Sequence, residues 1–111
     1  MLRSGPAARL TIHLPSTALW HHKPVYAEIV RRAHRAGLAG ASVLHGVEGY
    51  GIHLRIHQDH PSRLLAHGPC AVVIVDDEGR VRAFLADLED VLAVTGVAII
   101  DRVEVYCPGG R

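Results

Sequence analysis

The chain has 111 residues, of which 49% are hydrophobic and 21% charged, and its net charge is +1. Such a composition suits one globular domain with a buried core and excludes a disordered chain. The near-zero charge argues against a nucleic-acid partner, and no apolar run reaches the roughly 18 residues that insert across a bilayer.

Met1–Ala7 and Pro108–Arg111 read as loose ends of a single domain over residues 1–111, with its core at about 8–106. Residues 1–8 hold an arginine but no apolar stretch behind it, so no secretory signal is read there. Leu10, Ile12 and Leu14 alternate with Thr11 and His13, which predicts a half-buried strand stopped by Pro15. From Pro24 to Ala36 the apolar residues Val25, Ile29, Ala33 and Ala36 fall at helical spacing. Pro24 suits the first turn and Gly37 the C-terminal stop.

Ala41–Val47 predicts a second strand, followed by a loop that places Gly46, Gly49 and Gly51 within six positions. Such a loop passes through backbone conformations open mainly to glycine and leaves N–H groups free for a ligand. Ile52–His57 is read as an extended arm. Cys70–Val75 is a continuous apolar run and predicts a strand buried on both faces. Asp76 and Asp77 end it with negative charge at the start of the next helix, where the helix dipole favours it. That helix carries Val81, Phe84, Leu85, Leu88 and Val91 as one stripe, and Gly96 breaks it. Val97–Tyr106, rich in β-branched residues, predicts the last strand.

The predicted order is βαββαβ, an α+β chain whose natural solution is a ferredoxin-like fold. Its four-stranded antiparallel sheet carries two helices on one face. Right-handed crossovers make the first two strands parallel, with the third antiparallel between them. The segment Trp20-His21-His22-Lys23, the Gly46–Gly51 loop and the Thr95-Gly96 turn then emerge at one end. Since helices cover only one sheet face, the two-sided third strand predicts a homo-oligomer through the bare face.

Three motif groups occur in order. They are Trp20-His21-His22-Lys23-Pro24 with Tyr26; Ala36-Gly37-Leu38-Ala39-Gly40-Ala41; and Gly46-Val47-Glu48-Gly49-Tyr50-Gly51 with Ile56-His57. Together they resemble the bacterial and archaeal DUF190 family over about residues 8–106. That resemblance implies a PII-like fold, a homotrimer, and a small effector, often an adenine nucleotide, bound in clefts between subunits. It also implies a T-loop, here Gly46 to about His67, that reports the effector to a partner such as a membrane transporter or channel protein. Lys23, Glu48, Gly49 and Gly51 would lie near the base of that loop. One departure stands out: Val94-Thr95-Gly96-Val97 has no Lys or Arg where PII proteins grip nucleotide phosphates, which argues against the usual ATP site.

The candidate ligand-binding set is Lys23, Gly46, Glu48, Gly49, Tyr50, Gly51, Arg55 and His57. Lys23, Arg55 and Arg63 are cations for a phosphate or carboxylate. Glu48 suits a ribose hydroxyl or an ammonium group, and equally a solvated surface. Trp20 and Tyr50 suit either stacking on a base or packing at a subunit interface. The glycines alone are also explained by tight turns. Nine histidines are many for this length. His53 and His57, four apart, would share a helical face as divalent-metal ligands do, the alternative reading. On an extended arm, Arg55 stands between them and repels a cation, and the histidines then form a protonatable loop surface. Cys70 and Cys107 have neither metal spacing nor a secretory context, so they read as reduced thiols in a cytoplasmic protein. Neither the serines nor the cysteines stand in a setting that would activate them, and no enzyme is expected.

Overall fold

A computed structural model describes residues 3–46, 68–93 and 95–109. The expected order is present, with additions. Strand β1 (Gly5–Pro15) leads through a small hairpin, β2 (Leu19–Trp20) and β3 (Lys23–Pro24), into helix α1 (Val25–Arg35). Strands β4 (Ala41–His45) and β5 (Pro69–Asp76) follow, then helices α2 (Glu78–Ala86) and α3 (Glu89–Leu92), and finally β6 (Val97–Val105). The main sheet runs β4-β5-β1-β6, antiparallel throughout, so β1 and β4 are parallel with β5 between them. This is the βαββαβ topology that the pattern predicts.

Alternation in β1 drives the fold. Ala8, Leu10, Ile12 and Leu14 are fully or almost fully buried, and their register partners on β5 include Asp76, Ile74, Val72 and Cys70. Both helical regions pack on this one face, contributing Val25, Ile29 and Ala33 from α1 and Val81, Phe84, Leu88 and Val91 from the second region. Burying such a side chain contributes about 1.5–3 kcal/mol relative to leaving it in water.

Four expectations need correction. Met1–Ala7 is not loose throughout, since Gly5, Pro6 and Ala7 pair with Val105, Glu104 and Val103 of β6. The stripe from Val81 to Val91 is not one helix: the backbone leaves helical geometry at Asp87 and Leu88, although Leu88 stays fully buried. The pattern of buried side chains survives because the chain turns without changing which face it presents. The third predicted strand is buried on only one side, with Ala71, Val73 and Val75 half-exposed opposite Cys70, Val72 and Ile74. Trp20-His21-His22-Lys23 is also more than a loop, since Trp20 pairs with Lys23 and both intervening histidines have positive φ, 51° and 67°. The arm expected at Ile52–His57 lies outside the described residues.

Helix α1 ends as its sequence indicates. Gly37 adopts φ 75°, its N–H bonds the His34 carbonyl, and the Leu38 N–H reaches back to the Ala33 carbonyl. This paired arrangement closes the helix with a left-handed residue that favours glycine, while Leu38 joins the core beside Ala33.

An ionic cluster ties the two helical regions together. Buried Glu28 accepts hydrogen bonds from Arg31 (2.6 Å) and Arg32 (2.7 Å), and Arg32 reaches across to Asp90 at 2.9 Å and to the Asp87 carbonyl at 3.0 Å. The bond from Arg31, joined by that from Arg32, lowers the Glu28 carboxyl from 4.5 to about 2 against the opposing effect of burial. A folded-state value below the unfolded one contributes stability above about 4.5, lost as pH falls toward 2. Glu28→Gln is therefore expected to lose about 2 kcal/mol at neutral pH, the scale of a charged hydrogen bond. Urea unfolding at several pH values checks this, and the gap from the parent protein should narrow between pH 4.5 and 2.

Candidate functional site

Two regions have the makings of a site, one at the loop-bearing end of the sheet and one at its β4–β5 edge. Register alone creates the first. His13 on β1 pairs with Val97, Pro15 with Pro69, and His45 with Cys70, so the end of β1, the end of β4 and the starts of β5 and β6 share one rim. The Ser16 N–H bonds the Gly68 carbonyl and the Gly46 N–H bonds the Pro69 carbonyl, each at 2.9 Å. These bonds tie Gly46 and Gly68, the described residues on either side of 47–67, to their neighbours at the rim.

Beneath that rim sits a small polar cluster. Ser16 Oγ lies 3.2 Å from His45 Nδ1, and the Tyr26 ring meets the His45 ring edge-on at 5.6 Å between centroids. Burial pushes the Cys70 thiol up in pKa, with the Ser16 hydroxyl opposing. A raised thiol stays protonated, so Cys70 acts as a small core group and not as a nucleophile.

Of the candidate ligand residues, Lys23 and Gly46 fall within the described structure. Lys23 is exposed on the hairpin, and Gly46 stands at the root of the 47–67 segment. Glu48, Gly49, Tyr50, Gly51, Arg55 and His57 lie outside the described residues, as does the alternative metal pair His53 and His57. Trp20 packs within its own chain: its ring carries the Arg32 guanidinium at 4.9 Å and the His21 ring at 4.2 Å. A ring held this way braces the hairpin against α1.

The second region was not anticipated as a site. An open cleft of about 670 Å³ lies along the 37–42 turn, with Val73 and Val75 as its other wall. Its lining offers main-chain groups, small side chains and the Ser42 hydroxyl, with no ionisable side chain. In the sequence, residues 36–41 read as a helix end, a stop at Gly37, a strand start at Ala41 and part of a family motif, but not as a site, because small residues and glycines carry no chemical signature.

The cleft borders the sheet face that, among the described residues, no helix covers. Across that face, register aligns Leu44, Ala71, His13 and Val97 in one row and Ser42, Val73, Thr11 and Ile99 in the next. Leu44, Val97 and Ile99 are exposed by 59%, 50% and 47%. Exposed Leu44 on one edge strand and Val97 and Ile99 on the other flank the polar Thr11 and His13 of β1, and large apolar side chains exposed on one sheet face mark an interaction face.

Comparison with known proteins bears on both regions. Residues 7–105 match the profile of the DUF190 family, described as an uncharacterized ACR. A UPF0166 protein of Aquifex aeolicus (strain VF5) is 31% identical over 83 residues, covering 75% of this chain and 77% of that protein. Among solved structures, the fold is that of CPII from Thiomonas intermedia K12, a nitrogen regulatory PII-like protein bound to ADP, AMP and bicarbonate. The TM-score is 0.65 at 18% identity, covering 93% of this chain and 96% of that one. The apo form of CPII superposes with a TM-score of 0.61 at 18% identity, covering 90% and 91%. A protein from Thermus thermophilus gives 0.65 at 16% identity, covering 95% and 94%.

The root of the 47–67 segment depends on close approach at Gly46, where an added Cβ would stand 2.9 Å from Pro69 Cγ. Gly46→Ala is expected to cost about 1 kcal/mol through this overlap. Pro69→Ala in the same chain should recover most of that loss. Urea unfolding of both single variants and the double variant measures the coupling, and strictly additive losses would assign the cost elsewhere.

Proposed function

Because the chain belongs to the DUF190 family and has a PII-like fold, we propose that it is a non-enzymatic cytoplasmic regulator working as a homotrimer. A small effector, an adenine nucleotide, binds in clefts between its subunits, and the 46–67 segment passes the bound state to a partner. The partner is a membrane transporter or channel protein. Among the described residues no helix is long and apolar enough to cross a membrane.

One observation carries the reading: the open cleft at the β4–β5 edge lies beside the uncovered apolar face. A second copy seated on that face would bury Leu44, Val97 and Ile99 and would wall the cleft on its open side. On this reading the site is completed by assembly. The cleft's uncharged lining suits the flat ring of a nucleotide, whose edge meets main-chain groups and a hydroxyl. Cations for the phosphate end come from Lys23 and Arg55 of a neighbouring copy, since within one subunit the cleft and the root of the 46–67 segment lie at opposite ends of β4 and β5. That CPII is bound to ADP and AMP supports the ligand class.

Two measurements test this. Light scattering is expected to give three times the 12.0 kDa subunit mass. Leu44→Asp with Ile99→Asp should yield monomers, because charge is placed in the middle of the face. ADP or AMP at about 100 times Kd should raise the melting temperature by several degrees in the parent protein, since only the folded state binds. The monomeric variant should show no such rise. A parent protein that is monomeric at micromolar concentration, or that responds to neither nucleotide, contradicts the reading.

A further inference from the structure

The wall of the β4–β5 cleft is held by two charged side chains that do not line it. We infer that Asp76 and Arg80 are positioning residues of the cleft, clamping the 36–39 turn through its main chain. The inference rests on reading the cleft as the effector site.

Asp76 stands out within its own strand. Cys70, Val72 and Ile74 precede it at buried positions of β5, and its register partner on β1 is Ala8, with no exposed surface. An apolar residue would satisfy that core. A carboxylate is instead 2% exposed there, at a desolvation cost of several kcal/mol per ion unless its oxygens are bonded. They are bonded: Oδ2 accepts the Ala39 N–H at 2.9 Å and Oδ1 accepts the Asp77 N–H at 2.7 Å. The carboxylate therefore joins the cleft's turn directly to the start of α2.

Arg80, one turn into α2, closes the clamp from the other side. Its Nη2 donates to the Gly37 carbonyl at 2.6 Å and to the Ala36 carbonyl at 3.4 Å, and its Nη1 lies 3.6 Å from Asp76 Oδ2. Gly37 is the left-handed residue that ends α1, so Arg80 holds the turn at the point where the chain reverses. Between them the two side chains bind one N–H and two carbonyls of residues 36–39.

This arrangement separates two duties. Ala39, Gly40 and Ala41 carry a methyl group or no side chain and leave the cleft open, while its rigidity comes from outside it. A turn of glycines and alanines would otherwise give up much of its binding energy to ordering itself around a ligand. Held in advance, it meets the ligand in the bound shape.

The test uses Asp76→Asn and Arg80→Gln in the full chain, with amide exchange and calorimetric titration of ADP and AMP. In Asp76→Asn one backbone N–H faces an amide donor in place of an acceptor, so exchange at Ala39, Gly40 and Ala41 should accelerate tenfold or more. In both variants nucleotide affinity should fall at least fivefold, while Leu10 and Ile12 in β1 keep their slow exchange. Arg80→Lys should recover part of the affinity by restoring one donor. If Asp76→Asn does not fold, Arg80→Gln decides, because its side chain is 41% exposed and outside the core. Unchanged exchange at residues 39–41, or accelerated exchange with unaltered affinity, overturns the inference. If the parent protein binds neither nucleotide, the nucleotide reading alone falls. Faster exchange at 39–41 then upholds the clamp, and unchanged exchange overturns it.

Discussion

Everything in this molecule follows from β1 lying between β5 and β6 with its even-numbered residues turned toward the helices. Ala8, Leu10, Ile12 and Leu14 take all of the helical cover onto one side, since α1 and the α2–α3 region both pack there. The odd-numbered residues, Arg9, Thr11 and His13, are left to face outward with the neighbouring strands' half-exposed valines. A period of two leaves no intermediate arrangement: shifting the register by one residue would exchange the two faces entirely. The antiparallel pairing fixed by the same strand also decides which chain ends meet, so face and rim come from one set of hydrogen bonds. The cleft and the loop root lie at opposite ends of β4 and β5 for the same reason.

Where the physical signal is periodic, the sequence was readable. The alternation at Leu10–Leu14 and the helical spacing at Val25–Ala36 locate β1 and α1 to within a few residues, and Gly37 closes α1 as expected. Signals failed where tertiary structure overrode them. The hairpin at Trp20–Lys23 needs two left-handed residues, a demand that Gly or Asn would announce and that two histidines conceal. The break at Asp87–Leu88 leaves the apolar stripe intact, so periodicity cannot detect it. The apolar run at Cys70–Val75 suggested burial on both faces, whereas a single subunit supplies cover for only one.

The candidate site was less legible than the fold, for a chemical reason. Sequence reading favours residues with reactive or charged groups, and it gathered Lys23, Glu48, Arg55 and His57 around the glycine loop. The cleft at 37–42 is built from residues with almost no functional groups. Its chemistry belongs to the main chain, and the side chains that shape it, Asp76 and Arg80, act from behind. The sequence places both Asp76 and Asp77 as charges at a helix start, and Asp77 directly precedes α2. The buried carboxylate one position earlier serves the turn.

The uncovered face has one further property that bears on the proposed assembly. It is not wholly apolar, since Arg9 and Asp101 occupy a row beyond Thr11 and Ile99. Unpaired, either group would oppose burial, because taking a bare ion out of water costs more than an apolar contact returns. Here the guanidinium meets the carboxylate at 3.2 and 2.7 Å through two parallel bonds, and Arg9 rises in pKa chiefly through its hydrogen bond to Asp101. The fork geometry satisfies both groups within one subunit. A copy arriving on this face meets a closed pair at the edge of an apolar field, not two isolated charges. Such a pair adds little to the stability of a lone chain. With both charges met within one subunit, the pair leaves this part of the face nearly neutral.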